Sequence, residues 1–161
     1  MTESSRFDRF LDQGAVVLLS ALRIAVGLIM AAHGWAKLSD IAGTAQSFGH
    51  LGMPAPQLLV YVAVAGEFVG GLGLAAGLLT RVAALGPVCT MIVAILTVHV
   101  GHGLFAKDGG YEYPLTLLLV SLFFTFNGAG PFSMDALLEK GAQARLSRAP
   151  RFRQQIPSRP L

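Results

Sequence analysis

The sequence is poor in charge and in cysteine. Charged residues make up 13% of its 161 positions, whereas an average soluble domain has about 25%. Hydrophobic residues make up 53%. The single cysteine, Cys89, lies in an apolar stretch, which excludes an intrachain disulfide, a CxxC redox pair and a cysteine metal cluster. This composition is typical of a membrane protein with one domain.

Several kinds of motif are also missing. The chain has no known haem, flavin or iron–sulfur signature. Its net charge is +3, but the basic residues are not interleaved with aromatic ones as in a nucleic-acid surface. Six of the twelve Lys and Arg residues lie after Ala136. We therefore expect no nucleic-acid partner, and we assign the basic excess to topology and to contact with anionic lipid.

Four apolar stretches predict four membrane-spanning helices. A helix needs about 20 residues to cross the hydrocarbon core of a bilayer. The predicted spans are residues 15–37, 58–79, 82–100 and 114–127. The expected fold class is therefore all-α, a bundle of four transmembrane helices in contact with the lipid bilayer.

Polar segments flank these spans and separate the first from the second. Residues 1–14 form a polar lead-in to the membrane domain, residues 15–136. Residues 137–161 form a basic tail that we expect to be partly disordered. Residues 39–57 are rich in glycine and proline, which predicts a loop with at most a short helical piece.

The basic residues predict the orientation of the bundle. Four spans put both termini on the same side, together with Arg81. That side carries Arg6, Arg9, Arg81 and the six basic residues of the tail, nine in all. The other side has only Lys37 at a boundary and Lys107. By the positive-inside rule both termini are cytoplasmic, and we expect a multi-pass membrane protein.

Ionisable residues occur inside the predicted spans. The first span contains Arg23, His33 and Lys37, which fall within one arc of the helix, and Glu67 lies near the middle of the second span. An arginine at the centre of a bilayer costs at least about 2.5 to 3.5 kcal/mol on insertion scales. We therefore predict an ion pair between Arg23 and Glu67 near the midplane. This pair either takes part in function or only fixes the helix register.

The second span is rich in glycine, which predicts close helix packing. Gly66 and Gly70 form one small-xxx-small pair, Gly73 and Gly77 form another, and Gly71 lies between them. Contacts through these glycines would serve either packing within the bundle or a homo-oligomer.

The predicted topology brings polar residues together at one outer mouth of the bundle. They are His33, Lys37, His99 and Glu112. Such a set could bind a lipid-soluble molecule with a polar head, relay protons or hold a metal. A metal has the least support, because no tight set of His and acidic residues completes a site.

A quinone fits this set best, because its head needs hydrogen-bond donors and a proton donor, and its tail needs access from lipid. His33 or His99 would donate protons near neutral pH. Lys37 or Arg23 would stabilise a developing oxyanion.

Four stretches in order carry a family resemblance: RIAVGLIMAAHGWAKL, SFGHLGMPAP, GEFVGGLGLAAGLLTRVAAL and GYEYPLTLLL. They resemble the DoxX family of small bacterial four-helix membrane proteins, and the resemblance extends over about residues 15–136. The resemblance implies five recurrent polar positions, Arg23, His33, Lys37, Glu67 and Glu112. It also implies quinone-linked oxidation, as in a subunit of a thiosulfate:quinone oxidoreductase, or resistance to quinones and oxidative stress. Without a cofactor signature of its own, the chain would move electrons through a bound quinone or a redox partner subunit.

The resulting hypothesis is an inner-membrane component of a quinone-linked redox or quinone-detoxification system. Its catalytic candidates are His33, Glu67 and His99. Its substrate-binding candidates are Arg23, Lys37, Glu112 and Tyr113. Two other interpretations stay open. One is a non-catalytic membrane scaffold or transport module in which the buried charges are structural, and the other is a path for protons or small ions.

Overall fold

The computed structural model describes residues 3–148, in which every regular element is a helix. The α-helices are α1 Glu3–Ser39, α2 Ile41–His50, α3 Pro56–Val64, α4 Gly70–Ala76, α5 Thr80–Ala83, α6 Leu85–Ala94, α7 Glu112–Asn127 and α8 Met134–Arg148. A first π-helical segment, Ala65–Val69, joins α3 to α4, and a second, Ile95–His99, follows α6. Short 3-10 turns at Val100–His102 and Ala106–Asp108 precede α7. The predicted all-α class is confirmed.

Three helical stretches are long and apolar enough to cross a membrane, Leu11–Ser39, Pro56–Ala76 and Thr80–His102. We call them spans 1, 2 and 3, and we call the shorter apolar helix α7 span 4. Successive spans run antiparallel. We use "upper end" for the end where span 1 finishes and span 2 begins, and "lower end" for the opposite end.

The core of the bundle contains side chains from all four spans. Its buried residues are Val26, Met30, Leu74, Ala84, Met91, Leu117 and Phe124. Many large apolar side chains on the outside are exposed instead, such as Leu18 at 69%, Leu96 at 65% and Phe126 at 69%. Contiguous apolar surface of this kind is stable in contact with lipid and not with water. The chain is therefore a helical membrane bundle.

Glycines bring spans 1, 2 and 3 into close contact. A methyl group added to Gly71 would lie 2.5 Å from a backbone nitrogen of span 1. One added to Gly70 would lie 2.8 Å from a backbone oxygen of span 3, and one added to Gly73 would lie 2.9 Å from the methyl of Ala83. Gly66 faces Gly86 of span 3. Since real Cβ atoms do not approach this closely, only glycine allows these helices to pack as they do.

Arg23 is buried at the lower end, where it caps a helix. Span 2 ends at Gly77, whose φ of 68° is left-handed and whose N–H bonds back to the carbonyls of Gly73 and Leu74. The Arg23 Nη1 atom donates to the carbonyls of Leu74 and Ala75 at 2.6 and 2.7 Å, and Nη2 donates to Phe132 at 2.9 Å. The end of a helix also carries partial negative charge, so a cation is stabilising here.

The predicted ion pair between Arg23 and Glu67 is wrong. The two span 2 carbonyls that bind Arg23 belong to residues seven and eight positions after Glu67, which is about 10 to 12 Å along a helix with a rise of 1.5 Å per residue. Glu67 pairs with Lys37 instead. Backbone carbonyls bind both Nη atoms of Arg23 without a carboxylate, which hydropathy and helical spacing do not reveal.

Asp135 at the start of α8 binds backbone groups at the lower end of the bundle. Its carboxylate accepts hydrogen bonds from the N–H groups of Leu79 and Thr80 at 2.7 and 3.0 Å and so caps α5. Its own N–H donates to the Gly77 carbonyl at 2.9 Å. Burial raises the pKa of Asp135, but the Thr80 and Leu79 N–H groups and the Arg23 charge outweigh burial and lower that pKa below its ordinary value.

Residues 39–57 contain a longer helix than expected, the ten-residue helix α2. Asp40 starts it by accepting the Gly43 N–H at 2.9 Å. Ala45 of α2 is buried against Val60 and Val64 of α3. The helix is stable despite its glycines because it has both an N-cap and an apolar partner.

The flanking segments are also helical where the structure describes them. The lead-in is continuous with span 1 in helix α1, and residues 137–148 of the tail belong to α8. The expected disorder concerns the rest of the tail, and residues 149–161 lie outside the described residues.

Candidate functional site

A cavity of about 360 Å³ lies in the upper half of the bundle, between spans 2 and 3. Most of its wall is apolar, contributed by residues such as Leu59, Val62, Met91, Val93 and Leu117. Its polar lining residues are His33, Lys37, Glu67, Thr90, Thr97, His99 and Tyr113. Five of the seven predicted catalytic or substrate-binding residues therefore meet at one cavity.

The cavity exists because spans 2 and 3 touch below it and separate above it. A methyl group added to Gly66 would lie 3.0 Å from the Thr90 methyl and 3.3 Å from the Gly86 oxygen, which marks the crossing point. Above the crossing, both helices line the cavity with small side chains, including Ala63 and Ala94. The glycine contact thus sets the floor of the cavity, and the small residues give it width.

The cavity opens sideways toward the surface that contacts lipid. Three residues of its rim are exposed, Val62 at 57%, Val93 at 48%, and Cys89. On the upper side it is lined by Phe48 of α2 and by Met53. A lipid-soluble molecule can therefore reach the cavity directly from the bilayer.

An ion pair lies inside the cavity. The Lys37 ammonium donates to Glu67 Oε2 at 2.5 Å, and the two side chains are 24% and 5% exposed. Each group can still form hydrogen bonds with a ligand, because the ammonium has two further N–H donors and the carboxylate has a second oxygen. Glu67 belongs to the first π-helical segment, an irregularity that is frequent at functional sites.

His99 ends the second π-helical segment and also lines the cavity. Its Nδ1 atom lies 2.7 Å from the carbonyl oxygen of Gly109. Because a carbonyl only accepts hydrogen bonds, Nδ1 must carry the proton, and in the neutral ring Nε2 is then an acceptor. The loop before α7 thereby fixes the tautomer of a histidine at the cavity.

His33 of span 1 and Tyr113 of span 4 form an aromatic part of the wall. Their ring centroids are 6.4 Å apart, and the ring planes are tilted by 51°. Tyr113 is 45% exposed, and His33 is also exposed. This pair joins the two spans behind the opening and adds a titratable ring and a phenol to the cavity.

Arg23 and Glu112, two further predicted substrate-binding residues, do not line the cavity. Arg23 caps span 2 at the lower end. The Glu112 carboxylate accepts the N–H of Ala106 at 2.6 Å and holds the loop before α7. Both side chains are therefore placed to hold backbone segments, and only Glu112 is at the same end of the bundle as the cavity.

Some lining residues were missed by reasoning from the sequence. Three residues of span 3 lie on its cavity side, namely Cys89, Thr90 and Thr97. The face of an apolar helix that points inward cannot be assigned from its sequence, because apolar residues occur all around it. The two π-helical segments also leave no mark in the sequence. Across residues 3–148 no group of three or more His, Cys, Asp or Glu residues could hold a metal ion, and we treat the polar lining as hydrogen-bonding and proton-carrying groups.

The chain is similar to several curated bacterial proteins. The family model DoxX matches residues 18–100. "Putative oxidoreductase CatD" of Bacillus subtilis is 33% identical over 120 residues, which cover 74% of this chain and 86% of CatD. "Inner membrane protein YqjF" of Escherichia coli is 32% identical over 121 residues, covering 73% of this chain and 89% of YqjF. "Inner membrane protein YphA" of the same organism is 31% identical over 136 residues, covering 83% of this chain and 93% of YphA. No solved structure matches the chain.

Proposed function

The chain belongs to the DoxX family of inner membrane proteins, and from this we propose that it is a component of a quinone-linked redox or quinone-detoxification system. In this proposal the cavity between spans 2 and 3 binds the ring of a quinone-like molecule. Both termini face the cytoplasm, as the distribution of basic residues indicates. The cavity then opens into the outer leaflet.

One observation carries the proposal: an apolar cavity that opens toward lipid contains a buried ion pair and an oriented histidine. A molecule with only an apolar tail would leave the remaining N–H donors of Lys37, the second oxygen of Glu67 and Nε2 of His99 without hydrogen-bonding partners, which is costly away from water. A water-soluble substrate would have no need of an opening toward lipid. A ring with polar oxygens and an apolar tail suits both features.

The polar lining residues have distinct roles in this proposal. The Lys37 ammonium and the Glu67 carboxylate orient the oxygens of the ring at the cavity floor. His99 and His33 exchange protons with those oxygens. Tyr113 packs beside the ring next to His33. Arg23 at the lower end and Glu112 at the upper end hold backbone segments and do not contact the ligand, which departs from the roles predicted for them.

The name of one relative supports a redox role. CatD carries an oxidoreductase name, and this chain covers most of its length. The chain has no protein-bound electron carrier signature, so the bound molecule or a partner subunit supplies the electron chemistry.

Binding of a short-tailed quinone tests the proposal. The full chain in lipid nanodiscs would be titrated with 2-decyl-1,4-benzoquinone and its hydroquinone, with binding followed by calorimetry. We expect one site per chain, lost when Ala94→Trp fills the cavity. The matched control is Ala25→Trp, which adds the same ring to an exposed position of span 1 and should bind normally.

Two results would contradict the proposal. One is the absence of binding to the folded wild-type chain in either redox state of the ring. The other is binding that Ala94→Trp leaves unchanged, because the ligand would then occupy a different surface. Loss of binding in both tryptophan variants would point to a damaged fold, which far-UV circular dichroism detects.

A further inference from the structure

The hydrogen-bonding groups of the cavity differ in kind, and two of them, His99 and Glu67, offer a ligand an acceptor atom. The Nδ1 proton of His99 is committed to the Gly109 carbonyl at 2.7 Å. The neutral ring can then offer a ligand only the lone pair of Nε2. Turning the ring over to present an N–H group instead would break the hydrogen bond to Gly109.

Glu67 provides the second acceptor. Its Oε2 atom is held by the Lys37 ammonium, and in the ionised carboxylate Oε1 also only accepts hydrogen bonds. The Glu67 side chain is 5% exposed. It lines the cavity, so the cavity is where a ligand can reach this oxygen.

The two redox states of a quinone ring meet these acceptors differently. The carbonyl oxygens of the oxidised ring only accept hydrogen bonds, so they cannot pair with His99 Nε2 or with Glu67 Oε1. The hydroxyl groups of the reduced ring donate a hydrogen bond, and their oxygens still accept one from the Lys37 ammonium. A site whose polar groups match a ligand hydroxyl discriminates strongly against an analogue that lacks it, because the buried groups are left unpaired.

We infer that the cavity selects the hydroxyl-bearing, reduced form of its ligand, a hydroquinone or related phenol, over the corresponding quinone. This inference rests on the proposed function, which requires a quinone-like ring in the cavity but does not say which redox state is preferred. His99 and Glu67 are the residues that determine the selectivity, and the Gly109 carbonyl acts by orienting His99.

Three tail-matched ligands test the selectivity. They are 2-decyl-1,4-benzoquinone, its hydroquinone and the 1,4-dimethoxy ether of that hydroquinone, each titrated anaerobically at pH 8 into the full chain in nanodiscs. The ether keeps the aromatic ring but has no O–H donor. We expect the hydroquinone to bind about tenfold more tightly than the quinone, since one or two extra hydrogen bonds are made. The ether should resemble the quinone.

A pair of histidine variants tests whether His99 causes the preference for the hydroquinone. In His99→Asn the amide can keep a donor to Gly109, but the ring Nε2 acceptor is gone, so the preference for the hydroquinone should fall to about twofold. The matched control is His102→Asn. His102 has the same kind of bond, from Nδ1 to the Val98 carbonyl at 2.9 Å, but it does not line the cavity, and the preference should remain about tenfold.

The possible results separate this inference from the proposed function. If the quinone binds as tightly as the hydroquinone or more tightly, the selectivity is refuted and the binding function stands. If the ether binds as tightly as the hydroquinone, hydrogen-bond donation is not the cause and the inference also fails. If none of the three ligands binds, the proposed function itself fails. Should His99→Asn not fold, the comparison of the three ligands on the wild-type chain still decides.

Discussion

The ion pair that the structure assigns to Glu67 can be tested by double-mutant cycles. Lys37→Met and Glu67→Gln remove the two partners of the observed pair. Arg23→Met removes the arginine that sequence reasoning had paired with Glu67. We expect a large interaction energy between the Lys37 and Glu67 substitutions, and none between the Arg23 and Glu67 substitutions.

The magnitudes follow from burial and separation. Removing one partner of a buried ion pair costs about 3 to 5 kcal/mol, and because Lys37 is 24% exposed we expect Lys37→Met to cost about 3 kcal/mol, at the low end of that range. The double variant has no charge left at the site, so the interaction energy should be about 2 kcal/mol. Arg23 binds backbone about 10 to 12 Å farther along span 2 and shares no partner with Glu67, so those two substitutions should be additive within about 0.5 kcal/mol.

The assay is reversible unfolding of the purified chain in mixed detergent micelles, followed by far-UV circular dichroism. Free energies of unfolding are needed for the wild type, three single variants and two double variants. An interaction energy below about 0.5 kcal/mol between Lys37 and Glu67 would refute the observed pairing. A value above about 1 kcal/mol between Arg23 and Glu67 would restore the pairing that the structure replaces.

Further expectations concern the lower end and the helix contacts. Arg23→Met leaves the Ala75 and Phe132 carbonyls unpaired, so it should destabilise the chain by about 2 to 6 kcal/mol; a loss below about 1 kcal/mol in detergent unfolding would show that the cap is unimportant. Gly71→Ala puts a methyl 2.5 Å from span 1 backbone and should cost more than about 2 kcal/mol, whereas the control Gly14→Ala has nothing within 4 Å and should be neutral or slightly stabilising; equal effects would contradict the close contact. The pKa of Asp135 is lower in the folded than in the unfolded chain, so its ionised carboxylate stabilises the fold. This contribution to the free energy of unfolding is present above the unfolded pKa of about 3.9 and is lost as the pH falls through the folded pKa. Asp135→Asn should therefore lower the melting temperature at pH 7 but flatten its decline between pH 5 and 3, and an unchanged acid slope would count against the cap.

Predictions from the sequence were most successful where apolar residues form long runs. The apolar stretches predicted an all-helical membrane protein, and residues 3–148 form such a bundle. They also predicted that His33, Lys37, His99 and Glu112 lie near one end of the bundle. The first three line the cavity together with Tyr113, whereas Glu112 holds the loop before α7. Helix length and order along the chain are enough for this, because each helix rises by about 1.5 Å per residue.

Reasoning from the sequence failed where the partner of a side chain is a backbone group. Arg23 and Glu67 have opposite charges and similar predicted depths, and pairing them was the natural expectation. The structure instead gives Arg23 three carbonyls and gives Glu67 a lysine. Every residue has a carbonyl, so nothing in the sequence marks the few that a helix end leaves open.

The sequence alone thus determined the class of the protein, because the class depends on hydropathy summed along each helix. Only the tertiary structure decided which polar groups meet, since this depends on the rotation of each helix and on the close approach at Gly66 and Gly71. The Gly66 contact with span 3 fixes where spans 2 and 3 cross, next to Thr90, and so sets the floor of the cavity. The π-helical turns at Glu67 and His99 then change the direction of side chains that a regular helix would place differently.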